Sequence, residues 1–166
     1  MKFRKSLVSI FASIVILTLV AQAQIGALPK NDVRLKDATD SKFRVGDVWE
    51  YKTRPGEERS RLTIVKIDNS PELGIIVHVA VDSLTWKDCQ NNPLPESAPH
   101  MPFARKALEA SITNRVGTIQ TLPDYHNGYE EWKAVYSKKH AGIYLIAVQD
   151  AVSVAEKTYR SGIGCD

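Results

Sequence analysis

The chain has 166 residues, 43% of them hydrophobic and 25% charged, with 22 Lys and Arg against 19 Asp and Glu. Three of the basic residues, Lys2, Arg4 and Lys5, lie in an N-terminal leader that holds no acid, so the remainder carries 19 basic and 19 acidic residues. A neutral chain lacks the electrostatic footprint of a protein that binds phosphate backbones or anionic lipid surfaces, which excludes nucleic acid and the membrane surface as expected partners.

Residues 1–23 read as a secretory signal peptide. The three cations form its n-region, Leu7 to Val20 an uncharged apolar h-region, and Ala21-Gln22-Ala23 a small-x-small cleavage site. The apolar run is shorter than the roughly 20 residues of a membrane span, so cleavage is expected rather than a retained anchor. No cysteine follows Ala23 to carry a lipid, and no stable membrane insertion is expected after cleavage. The product is expected in the periplasm or outside the cell, and its length fits one domain with a hydrophobic core of its own. Both cysteines, Cys89 and Cys165, fall in the exported part, where an oxidising compartment predicts a structural disulfide between them. Two free thiols or an intermolecular bond are the alternatives.

Residues 24–43 are polar and without apolar period, and read as a flexible lead; residues 44–166 read as a single domain. Val48 to Thr53 is rich in strand formers and runs into the turn chemistry of Pro55-Gly56. Arg61 to Asp68 is the returning strand, with Leu62 and Ile64 on one face and Thr63, Val65 and Ile67 on the other. Gly74 to Leu84 forms a third strand, with Ile75, Val77, Val79 and Val81 opposite Ile76, His78, Ala80 and Asp82. Short turns between these strands predict an antiparallel meander. Asp88 to Pro102 carries four prolines and two asparagines and reads as a long loop.

Phe103, Ala107, Leu108, Ser111 and Ile112 then recur at helical spacing. Val116 to Leu122 is a short strand or a loop. A second helix starts near Asn127 with Tyr129, Trp132, Val135 and Tyr136 as its stripe, and stops at Gly142. Ile143 to Val148 reads as a strand, and Val148, Val152, Ala155 and Tyr159 place a final helix ending near Ser161. The order, roughly β-β-β-α-(β)-α-β-α, predicts an α+β fold, a mostly antiparallel sheet with helices on one face.

Chemistry-bearing motifs are few. The histidines at 78, 100, 126 and 140 show no metal-ligand spacing, and nucleophile-elbow, P-loop and dinucleotide patterns are missing, so no metal or cofactor is expected. His78 reads as a hydrogen-bonded core histidine. The charged turn carrying Arg54, Glu57 and Glu58 is either a solvated hairpin tip or a recognition surface. His100, in Pro99-His100-Met101-Pro102-Phe103, either stiffens a loop-to-helix junction or, kept neutral by the helix dipole, hydrogen-bonds a ligand. Asp124 and His126 form a third polar patch.

The combination of Gly46-Asp47-Val48-Trp49-Glu50-Tyr51, Arg54-Pro55-Gly56-Glu57-Glu58 and His100-Met101-Pro102-Phe103 resembles small bacterial proteins of unassigned activity. The resemblance spans most of the mature chain and implies bacterial origin and a compact α+β domain, with no activity and no site residues attached. By elimination, the sequence points to an exported binding or inhibitor-type protein, extending to a periplasmic immunity protein, with another exported or envelope protein as partner. The contrasting expectation is a small envelope hydrolase using His100 or His126 with Glu57 or Asp124.

Overall fold

The computed structural model describes residues 35–165. The expected signal peptide with its cleavage site, and residues 24–34 of the expected lead, lie outside them. The fold is α+β, as the sequence predicts: an antiparallel six-stranded sheet with three helices. The strands are β1 (Lys36–Asp37), β2 (Asp47–Tyr51), β3 (Leu62–Ser70), β4 (Gly74–Val81), β5 (Ala98–Ala104) and β6 (Ile112–Thr118), and the helices are α1 (Arg105–Ser111), α2 (His126–Tyr136) and α3 (Val148–Gly162). The sheet runs β5-β4-β3-β2-β6, with β1 beside the far end of β3.

The β2–β3–β4 meander forms where alternating branched and aromatic residues predict it. The turn into β2 depends on Gly46, whose φ is +90° and whose hydrogen faces the Ile119 carbonyl so closely that a Cβ would stand 2.7 Å from its oxygen. Val77, Val79 and Val81 of β4 project into the main core with Leu62, Ile64 and Ile67 of β3 and Met101 and Phe103 of β5. Leu108 of α1 and Val148, Ala151 and Val152 of α3 cover that face. The opposite face of β3, β4 and β5 is covered by α2, through Tyr129 against Asp68 and His78 and Tyr136 against Ser70. The helices thus divide between the two faces of the sheet.

Several elements differ from the expectation. Ile67 shares the core with Leu62 and Ile64, because Ile64 pairs with Val79 while Lys66 pairs with His78, which leaves Val65 as an extra bulged residue that shifts the alternation by one. The later part of the polar lead is tied down: β1 pairs with β3, Ala38 donates to the Ile67 carbonyl at 3.0 Å, and Phe43 is buried in the core.

The end of the expected long loop is strand β5, whose prolines Pro99 and Pro102 are tolerated because β5 is the last strand of the sheet path. Phe103 therefore lies on a strand, and the helix begins only at Arg105. Ile112 opens β6 instead of closing that helix. Residues 143–148 form no strand; Tyr144 makes one bridge to Phe103, while Leu145 and Ile146 are exposed.

Cys89 and Cys165 form a disulfide across 76 residues of chain. It fastens the loop after β4 to the end of α3, and closing a loop of that length stabilises the fold by about 4 kcal/mol in the chain-entropy model.

Candidate functional site

Three adjacent strands bring together Asp68, His78 and His100. On β4, His78 alternates with the core valines and so points to the α2 face. The Val65 bulge turns Lys66, Asp68 and Ser70 of β3 to that same face. On β5 a second irregularity, one residue of β4 against two of β5 between the Val79–Met101 and Val81–Ala98 pairs, falls at Pro99 and His100. His78 Nδ1 and His100 Nε2 are 2.8 Å apart with the rings only 19° from coplanar, the geometry of an in-plane N–H···N hydrogen bond. His78 Nε2 lies 3.2 Å from Asp68 Oδ2, an ion-pair distance but off the line of its N–H. Tyr129 donates to the same oxygen at 2.8 Å, and Lys66 Nζ stands 3.2 Å from Oδ1.

Burial raises the Asp68 carboxyl, but His78, Tyr129 and Lys66 outweigh it and hold the group below its ordinary range. Asp68 is therefore an ionised acceptor. Desolvation in turn depresses His78, and burial together with the neighbouring His78 depresses His100 to about 3. Both imidazoles are neutral at neutral pH. An acceptor-only carboxylate assigns the His78 proton to Nε2, which leaves Nδ1 to accept from His100 Nε2–H and leaves His100 Nδ1 with a lone pair. This neutrality comes from burial, not from a helix dipole, because His100 sits on β5 and not at the start of a helix. Tyr129 and Trp132 of α2 press on both rings at centroid distances of 5.0 to 5.8 Å.

His100 stands in the wall of a cleft of about 720 Å³. Pro99 and Met101 continue that wall along β5, Trp86 and Pro95 come from the loop before it, and Ala155 and Tyr159 come from α3. Glu131 and Tyr144 close the remaining side. No known protein family, curated protein or solved structure matches the chain.

The other sequence-predicted residues fall elsewhere. Glu57 is fully buried: it receives two hydrogen bonds from the Arg54 guanidinium, and it accepts from Thr85 N at 2.8 Å and Thr85 Oγ1 at 3.2 Å. Burial raises its carboxyl and these partners more than reverse that. Arg54 also reaches Glu156 of α3 at 2.6 Å, and Glu156 accepts from Lys87 N at 3.1 Å. Arg54 and Glu57 thus clamp the segment carrying Trp86 onto α3, joining two walls of the cleft, while Glu58 stays exposed and accepts from Gly56 N.

His126 and Asp124 lie 3.7 Å apart in open solvent, their side chains 75% and 82% exposed. They join neither the cleft lining nor the Asp68 chain. Among the described residues, no group of three His, Cys, Asp or Glu is placed to hold a metal ion, and no helix is long and apolar enough to cross a membrane.

Proposed function

We propose that this protein is an exported binding protein whose ligand enters the cleft between β5 and α3 and is oriented by His100. The observation that carries this reading is the coincidence of a largely apolar, aromatic-lined cavity with a single imidazole that is positioned from behind by its 2.8 Å contact with His78. Cavities of this size lined by apolar groups, with few fixed polar ones, are the usual form of a small-ligand site. The turn expected as a recognition surface is a weaker candidate, since Arg54 and Glu57 face inward. The cleft also suits a protruding side chain of an exported partner, so the inhibitor reading shares the same surface.

A screen of small aromatic fragments followed by NMR tests the proposal. Binding shifts are expected at Trp86, His100 and Tyr159 of the oxidised protein, and they are expected to vanish in A155W, which fills the cleft from α3. Shifts scattered over the surface, or unchanged in A155W, would overturn it.

The hydrolase reading draws on the same Asp68–His78–His100 chain, which could serve a general base. Among the described residues no Ser, Thr or Cys side chain is hydrogen-bonded to His100, so the chain has no paired nucleophile. That reading requires turnover of p-nitrophenyl esters by the wild type and its loss in H100A; an inert wild type removes it.

A further inference from the structure

Resting on the cleft as the ligand site, we infer that it selects a cationic ligand, an amine or ammonium group carried on an apolar body. The cleft's charge is one-sided, while its uncharged polar groups are His100 and the hydroxyls of Ser97, Tyr144, Thr158 and Tyr159. Glu131 is the one charged side chain in its lining, no Lys or Arg joins it there, and among the described residues Glu131 makes no salt bridge. Glu131 is exposed and hydrated when the cleft is empty, and a cation bound at the rim gains a modest attraction to it.

His100 stands in the wall as a neutral imidazole, so it adds no positive charge that would oppose a cation. Trp86, Tyr144 and Tyr159 add aromatic rings to the walls, and ring faces attract a cation by about 0.5–2 kcal/mol depending on desolvation. A carboxylate ligand would meet the opposite conditions: repulsion from Glu131 and no basic residue in the lining. Pro95, Pro99, Met101 and Ala155 supply the surface against which an apolar body packs. The same chemistry could be offered by a free small amine or by a lysine side chain on a partner polypeptide.

Four probes separate these outcomes in titrations of the oxidised protein at neutral pH and low salt, followed by tryptophan fluorescence and calorimetry. Tyramine, 4-ethylphenol and 3-(4-hydroxyphenyl)propanoate share one aromatic body and differ in charge, and a capped tripeptide with a central lysine offers the amine on a chain. Tyramine is expected to bind about fivefold to tenfold tighter than 4-ethylphenol, and the propanoate weakest of the three. E131Q is expected to weaken tyramine about threefold and leave 4-ethylphenol unchanged. The tripeptide matching tyramine would assign the amine to a partner's lysine, and tyramine alone would assign it to a small molecule; both support the inference. Equal binding of the three aromatic probes, or preference for the propanoate, would overturn charge selection and leave the cleft reading standing. Binding of none of the four would overturn both.

Discussion

At the scale of single residues, the close approach of α2 to the sheet rests on Gly128. A Cβ there would stand 2.9 Å from the Cβ of His100, an atom held by the strand backbone that cannot swing away. Glycine within a helix costs about 1 kcal/mol relative to alanine, so on helix propensity alone G128A should stabilise. The contact argues the reverse: the helix must lift off β5, loosening Tyr129 and Trp132 from the two imidazoles, and overpacking of this kind costs about 1–3 kcal/mol. G128A is therefore expected to lower the urea midpoint and to shift the His78 and His100 imidazole resonances. A variant as stable as wild type, with those resonances in place, would show that the helix yields freely there.

At the scale of elements, the clamp between the β2–β3 turn, the Trp86 segment and α3 turns on Glu57. Its carboxylate is buried and receives four hydrogen bonds, two of them from a guanidinium, and breaking one side of a buried ion pair leaves the other charge uncompensated. E57Q is expected to cost about 2–4 kcal/mol in denaturant unfolding and to increase amide exchange over residues 84–87. E58Q, at an exposed position, is expected to change neither.

The adjacent pair Glu57-Glu58 also shows what could be read from sequence. Pro55-Gly56 marked the turn, yet nothing in the order of residues says which carboxylate folds inward, because Thr85 lies 28 positions from Glu57, and Glu156, the second partner of Arg54, lies 102 from that arginine. The strands of the meander were legible from their own alternation. Asp68 as a partner of His78 was not, because one bulged residue, Val65, turns it to the other face, and a bulge leaves no period to recognise. His78 and His100 were each visible as histidines of interest. Their pairing needed the β4–β5 register, which was hidden by prolines that read as loop. Ile143 to Val148, apolar enough for a strand, instead spends Leu145 and Ile146 on the surface, and tertiary packing rather than composition decided it.

At the scale of the whole molecule, burying two neutral histidines beside an ionised aspartate makes stability depend on pH in a window where most proteins are flat. Both imidazoles titrate below their ordinary 6.5 in the folded state, His100 as low as about 3. The unfolded chain therefore takes up these protons as the pH falls through 6.5 while the native chain does not. The contribution of His100 is full above that point and declines progressively toward pH 3, with a slope approaching about 1.4 kcal/mol per pH unit, and His78 acts in the same direction. Asp68 and Glu57 act in the same direction but lower: their depressed carboxyls contribute stability that is present above the ordinary values of 3.8 and 4.5 and is lost as acid protonates them. Denaturant unfolding between pH 8 and pH 5 isolates the histidines from the carboxylates. The wild type is expected to lose stability steadily below pH 6.5, and H100A, less stable at pH 8, is expected to show a shallower slope by up to one proton. A wild-type profile flat across that range would mean that the native imidazoles take up protons as readily as those of the unfolded chain, and the neutral His78–His100 pair below pH 6.5 would fall with it.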